Sequence, residues 1–126
     1  MDAISLLLVD PQRCIRQAVY YKLAQEPDLL IVGETDSLAQ LPKLMKNTTP
    51  QITLIDVTLL DQPGQMLCRK ILTADPHTVF IAFSPFDWDV YLAAAWQAGA
   101  SAFIVKTCTI PELLQTVRMV AGVDQA

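Results

Sequence analysis

Four polar residues stand at the ends of strand-like apolar runs in this sequence: Asp10, Asp56, Ser84 and Lys106. Two carboxylates, a hydroxyl and an ammonium are groups that phosphoryl transfer uses for attack and for charge compensation. Neighbouring carboxylates repel each other, so they need Mg²⁺ or another cation between them. The set predicts a phosphoryl-transfer site, with Asp56 as nucleophile and Asp10 as a metal ligand beside it.

The elements that must position these residues alternate five times between strand and helix. Continuous apolar runs, typical of strands buried on both faces, predict strands at 4–9, 29–32, 52–56, 79–83 and 102–105. Helices are predicted at about 12–25, 37–46, 63–72, 88–97 and 111–120, with Ser37 capping the second. This order predicts an α/β fold: a doubly wound parallel five-stranded sheet, flavodoxin-like (βα)5, with strand order 2-1-3-4-5.

The strand order bears directly on the site, because the carboxyl ends of parallel strands share one edge of the sheet. The four polar residues follow the first, third, fourth and fifth strands, so we expect them to converge on one shallow pocket. The placement of four aromatic side chains stays open at this point. Tyr20 and Tyr21 are adjacent on the first helix, so at least one is exposed. Trp88 and Trp96 fit either the core or a partner-binding face.

Composition narrows the class of protein. Of 126 residues, 52% are hydrophobic and 17% charged, which is unlike a disordered chain and fits one domain over 1–126 with an ordered core of about 4–121. The net charge is −4 without a basic cluster, so there is no electrostatic footprint for nucleic acid. No apolar run approaches the roughly 18 residues of a membrane span. Three widely spaced cysteines indicate reduced, mostly buried thiols in a cytoplasmic protein.

With these residues the chain resembles the receiver domain of bacterial response regulators, especially the branch with a C-terminal helix-turn-helix of the LuxR type. The resemblance is carried by Leu-Leu-Val-Asp at 7–10, Glu-Pro-Asp-Leu at 26–29 with Val-Gly-Glu at 32–34, Thr-Leu-Ile-Asp at 53–56 and Ala-Gly-Ala-Ser-Ala-Phe-Ile-Val-Lys at 98–106. It covers about residues 4–121, and its specificity lies in the ordered set of Asp, Asp, Ser and Lys.

The resemblance implies roles for particular residues: Asp56 as phosphoacceptor, Asp10 and the backbone carbonyl of Thr58 as further Mg²⁺ ligands, Ser84 and Phe103 as the switch, and Lys106 as the phosphate-binding lysine. It implies a sensor histidine kinase as partner, a possible homodimer and no enzyme activity beyond self-phosphorylation. DNA binding would belong to a C-terminal domain outside this chain, and we expect excision from a longer regulator.

Departures from the family pattern motivate an alternative. Pro11 stands where the family has a second metal-binding acid, so we expect weak Mg²⁺ affinity; Leu60 and Pro85 also depart from the pattern. Asp61 and Glu34 are candidates to replace the lost charge. The alternative function is a phosphorylation-independent pseudo-receiver that acts as a protein–protein interaction module. A flavodoxin-like enzyme or cofactor binder is a third hypothesis, and the lack of a Gly-rich phosphate loop counts against it.

Overall fold

A computed structural model describes residues 3–122 and shows a five-stranded parallel sheet in the order β2-β1-β3-β4-β5. The strands are β1 (Ile4–Val9), β2 (Leu29–Thr35), β3 (Ile52–Asp56), β4 (Val79–Ser84) and β5 (Ala102–Val105). The helices are α1 (Arg13–Ala24), α2 (Leu41–Thr48), α3 (Gln62–Ala74), α4 (Asp89–Gln97) and α5 (Ile110–Val120). The predicted fold class and strand order are confirmed.

Two apolar layers, one on each face of the sheet, form the core. Successive side chains of a strand point to opposite faces. Leu6 and Leu8 of β1 therefore pack in the layer that contains residues of α1 and α5. Leu7 and Val9 pack in the layer that contains residues of α2, α3 and α4. Burial on both faces explains why five of the six residues of β1 are apolar. The pairing of β1 with β3 brings the carboxyl ends of these two strands side by side.

The second strand and second helix differ from their predicted bounds. β2 continues beyond residue 32 to Thr35, because its polar end pairs with β1 up to Val9. Ser37 was expected to cap the helix directly, but a 3₁₀ turn at Leu38–Gln40 comes first and α2 begins at Leu41. The Ser37 side chain makes no capping hydrogen bond, and the Ser37 backbone N–H donates to the Thr35 hydroxyl. A proline at the second position of α2 fits this later start, since its missing N–H is not needed there.

The aromatic side chains whose placement the sequence left open are exposed. Tyr20 and Tyr21 are both exposed, at 39% and 66% of their surface, so neither belongs to the core. Trp88 and Trp96 are also exposed, which excludes both from the core. The expectation of mostly buried thiols is wrong: Cys68 is buried, but Cys14 is exposed in the first turn of α1. Burial raises the pKa of the Cys68 thiol to about 12. Within residues 3–122, every helix falls short of the length and apolarity needed to cross a membrane.

Candidate functional site

The carboxyl edge of the sheet carries all four polar residues that the sequence singled out. Asp10 follows β1, Asp56 is the last residue of β3, Ser84 is the last residue of β4, and Lys106 follows β5. Asp10, Asp56 and Ser84 are buried, whereas residues after strands are ordinarily solvated. Because β1 and β3 are neighbours, the two carboxylates come from adjacent strand ends.

Lys106 joins the two carboxylates into one cluster, which we call the acidic pocket (Asp10, Asp56 and Lys106). Its ammonium nitrogen Nζ forms an ion pair with Asp56 Oδ2 and lies 2.7 Å from Asp10 Oδ2. The three side chains are only 7%, 2% and 6% exposed, in that order. Two carboxylates and one ammonium leave one uncompensated negative charge. The net negative charge of the pocket therefore favours the binding of a further cation.

The other oxygen of Asp56 is held by the turn that follows β3. Asp56 Oδ1 accepts hydrogen bonds from the Thr58 backbone N–H at 2.7 Å and from the Thr58 hydroxyl. These donors lie in a 3₁₀ turn at Val57–Leu59. Thr58 was predicted to act through its carbonyl; the contacts in the structure come from its amide and hydroxyl. They orient the Asp56 carboxylate, so that Oδ2 is the oxygen left facing Lys106.

Asp10 is held by a turn across Pro11. Its Oδ1 accepts a hydrogen bond from the Gln12 backbone N–H at 2.8 Å, and Gln12 is the N-cap residue of α1. Asp10 Oδ2 is buried and, among the described residues, lacks an aligned hydrogen-bond donor, although it makes the ion pair with Lys106. The Lys106 ammonium compensates the charge of this oxygen, but a buried oxygen without an aligned donor also favours a hydrogen bond, such as one from a cation-bound water.

Ser84 is near the pocket but is engaged elsewhere. Its hydroxyl donates to the backbone carbonyl of Phe86 and accepts from the Phe86 N–H at 3.3 Å. The Phe86 ring in turn stacks on Trp88 with ring centroids 4.3 Å apart. Phe103 is half-buried and packs against the core layer on the α3 and α4 side. The structure thus brings Asp10, Asp56 and Lys106 into contact and leaves Ser84 bonded within its own loop.

The two acids considered as replacements for the lost charge lie in other interactions. Asp61 caps α3 by accepting a hydrogen bond from the Gly64 N–H at 2.9 Å. Glu34 pairs with Arg16 at 2.8 Å. Instead, the side-chain oxygen of Gln12 reaches the acidic pocket, at 2.9 Å from Lys106 Nζ. Sequence reasoning missed Gln12; the available signal was a polar amide two residues past Asp10, directly after a proline.

The donor set of the pocket suits Mg²⁺. Within residues 3–122, no group of three or more His, Cys, Asp or Glu side chains is placed to hold a metal, so two carboxylates are what the pocket supplies. Mg²⁺ prefers oxygen ligands, keeps several waters and is commonly bound through one or two carboxylates. Asp10 and Asp56 fit that pattern, and among the described residues Asp10 Oδ2 lacks an aligned hydrogen-bond donor. Lys106 Nζ pairs with both carboxylates, so a cation bound there would compete with the ammonium.

A parallel sheet of order 2-1-3-4-5 with a carboxylate pair and a lysine at its carboxyl edge defines a flavodoxin-like domain of the receiver class. The family described as response regulator receiver domain matches residues 6–118. Since that match covers most of the sequence, the chain belongs to this family of signalling domains.

Relatives and solved structures agree with this assignment. The chain is 30% identical over 119 residues to the DNA-binding transcriptional activator DevR/DosR of Mycobacterium tuberculosis, covering 94% of this chain and 55% of that protein. It is 28% identical over 120 residues to the uncharacterized transcriptional regulatory protein YxjL of Bacillus subtilis, covering 95% and 55%. The chain thus spans about half the length of these curated relatives. The signal receiver domain of the putative response regulator NarL from Mycobacterium tuberculosis superposes with a TM-score of 0.86 at 23% identity, covering 97% and 98% of the two chains, which supports the fold alone.

Proposed function

We propose that this receiver domain accepts a phosphoryl group on Asp56 from a partner histidine kinase, with Mg²⁺ as cofactor. The observation that carries the proposal is the acidic pocket itself: a buried carboxylate at a strand end, with a second carboxylate and an ammonium on the same edge. Burying three charged groups together is costly, because each of them must be desolvated. A purely structural role for Asp56 does not account for that cost.

The contacts suggest how the chemistry proceeds. Asp56 Oδ2 attacks the phosphorus of a phosphohistidine whose other ring nitrogen carries a proton. The phosphorus–nitrogen bond breaks, its electron pair stays on the ring, and neutral histidine leaves as an acyl phosphate forms on Asp56. Thr58 fixes the carboxylate through Oδ1, so the attacking oxygen is Oδ2. Lys106 shifts from that oxygen to the phosphoryl oxygens and compensates their charge. When bound through Asp10 and Asp56, Mg²⁺ supplies further charge neutralisation for the phosphoryl group.

The loop after β4 links the new charge to the surface. A phosphate group adds a charge of about −1.5 to −2, which attracts hydroxyl donors. To reach it, Ser84 must give up its bond to the Phe86 carbonyl, and that residue stacks on Trp88. The Trp88 ring stacks in turn on Tyr91 of α4. Phosphorylation is therefore expected to change the aromatic stack, with Phe103 following inward, and to alter a partner or homodimer surface around α4.

A phosphodonor assay tests the proposal. The chain is incubated with acetyl phosphate and MgCl₂, and intact-mass spectrometry is used to detect one added phosphoryl group. We expect labelling that depends on Mg²⁺ and disappears in Asp56→Asn. The matched control is Asp36→Asn, because Asp36 is an exposed acid that is not part of the pocket. Absence of labelling at high donor and Mg²⁺ would refute the proposal and leave a phosphorylation-independent interaction module as the function.

The output follows by analogy with the relatives. DevR/DosR is a DNA-binding transcriptional activator, and the chain covers 55% of it. We propose that this domain is the regulatory part of a cytoplasmic transcription regulator whose DNA contacts are made by another part of the protein. Phosphotransfer from purified, autophosphorylated sensor kinases identifies the cognate partner, since the cognate kinase transfers fastest. Light scattering with and without acetyl phosphate tests the homodimer.

A further inference from the structure

We propose that Gln12 supplies a neutral oxygen to the acidic pocket, in place of the acid that the family pattern has at position 11. The proposal rests on the proposed function, because it concerns the cation site of the same pocket. Its starting observation is that Gln12 Oε1 lies 2.9 Å from Lys106 Nζ, the atom that also pairs with Asp10 and Asp56. Gln12 is thus a fourth group on a cluster that would otherwise consist of two acids and a lysine.

The backbone around Pro11 explains why residue 12 reaches the pocket. Proline has a fixed φ and lacks an N–H, so Pro11 cannot donate a hydrogen bond to Asp10. Asp10 Oδ1 therefore accepts the next available N–H, that of Gln12, at 2.8 Å. This is a side-chain turn of the kind aspartates form two residues ahead. It holds Gln12 at the N-cap of α1 with an extended backbone, and from there its amide oxygen contacts Lys106.

An amide oxygen provides coordination or hydrogen bonding without charge. With Gln12 the pocket keeps one uncompensated negative charge, the two carboxylates less the Lys106 ammonium. A carboxylate in the same place would raise that to two. Mg²⁺ retains much of its water when it binds through one or two carboxylates, so the Gln12 oxygen is suited to accept a hydrogen bond from such a water. Gln12 acts as a positioning residue, and the site is expected to bind Mg²⁺ less tightly than one with three acids.

The opposite role for Gln12 predicts an opposite result. If Gln12 only held Lys106 against the carboxylates, its removal would free Asp10 and Asp56, and Mg²⁺ would bind more tightly. If Gln12 supports the cation, its removal weakens Mg²⁺ binding. The sign of the change in the Mg²⁺ dissociation constant therefore decides between the two roles.

The experiment is a titration of the full chain with MgCl₂, followed by the NMR shifts of the Thr58 and Lys106 amides. No phosphodonor is present, so failure of Asp56 phosphorylation leaves this measurement unaffected. We expect Gln12→Ala to weaken Mg²⁺ binding about tenfold, the loss typical of outer-shell partners of a metal. Gln12→Glu should tighten it. Gln17→Ala, an exposed position on α1, should leave it unchanged and is the matched control.

The outcomes that overturn the proposal are defined by the same titration. An unchanged or smaller dissociation constant in Gln12→Ala overturns it. So does a wild-type chain that shows no Mg²⁺ binding and gains none in Gln12→Glu. The spectra also report folding: because Gln12 is exposed, well-dispersed amide signals are expected in every variant. If the titration succeeds and phosphorylation fails, the cation site stands and the proposed function is refuted.

Discussion

Replacing Lys106 with methionine removes the only ammonium that pairs with both carboxylates of the acidic pocket within residues 3–122. Methionine keeps most of the apolar stem, so the change is mainly one of charge. Removing one partner of a buried ion pair costs about 3–5 kcal/mol, because it leaves charge buried without compensation. Asp56 keeps its two hydrogen bonds from Thr58, and Asp10 keeps the one from Gln12. We therefore expect a loss near the lower limit, about 3 kcal/mol.

Urea unfolding in EDTA at pH 7 measures this loss. With a urea dependence of about 2 kcal/mol per molar, a loss of about 3 kcal/mol lowers the unfolding midpoint by about 1.5 M. Lys70→Met is the matched control, because Lys70 is an exposed lysine on α3, and we expect it to change stability by less than about 0.5 kcal/mol. Added Mg²⁺ should stabilise Lys106→Met more than the wild type, since the cation no longer competes with an ammonium.

Two results would refute this reasoning. A midpoint for Lys106→Met that matches Lys70→Met would mean that the carboxylates are effectively hydrated, against their burial at 7% and 2% exposure. Equal stabilisation of wild type and Lys106→Met by Mg²⁺ would mean that the metal and the ammonium do not share a site.

Three further predictions concern stability. Gly64→Ala should cost about 1–3 kcal/mol in urea unfolding, because a Cβ there would lie 2.5 Å from the carbonyl oxygen of Leu59; unchanged stability would contradict this. Leu23→Ala, in the core, should cost about 2–5 kcal/mol, as measured by the unfolding midpoint. Hydrogen bonds from Arg118 lower the pKa of the Asp28 carboxyl, so this stabilisation is present above about pH 4 and fades as pH falls further. Arg118→Gln should therefore cost less than about 1 kcal/mol at pH 7, and this cost should shrink as the pH falls below about 4, measured by thermal unfolding across pH.

Strands could be predicted where both faces are buried. They were harder to predict where the strand depends on pairing with a single neighbouring strand. β1 and β3 are mostly apolar, because helices cover both faces of the sheet. The end of β2 is Gly-Glu-Thr, and it is a strand only because it pairs with β1 up to Val9. The start of α2 was misplaced because a 3₁₀ turn at Leu38–Gln40 precedes the helix. Ser37 has the right residue type for a cap, but it lies before that turn and its side chain makes no capping hydrogen bond.

In the candidate site, too, some residues could be predicted from the sequence and others could not. Asp10, Asp56 and Lys106 could be found from residue type and position, because parallel strands bring their ends to one edge. The contacts of Ser84 and Gln12 could not, since they depend on the conformations of two loops. Ser84 bonds to the carbonyl of Phe86 two residues ahead. Gln12 reaches Lys106 across 94 residues of sequence, after the turn over Pro11 has been formed.

The most direct test of the central claim is to locate the phosphoryl group. The chain is treated with acetyl phosphate and MgCl₂, reduced with borohydride, which converts an aspartyl phosphate to homoserine, and mapped by peptide mass spectrometry. We predict homoserine at position 56 and unmodified aspartate at position 10, with the signal lost when EDTA replaces MgCl₂. Reduction at another acid, or at none, would contradict the assignment of Asp56 as the phosphoacceptor.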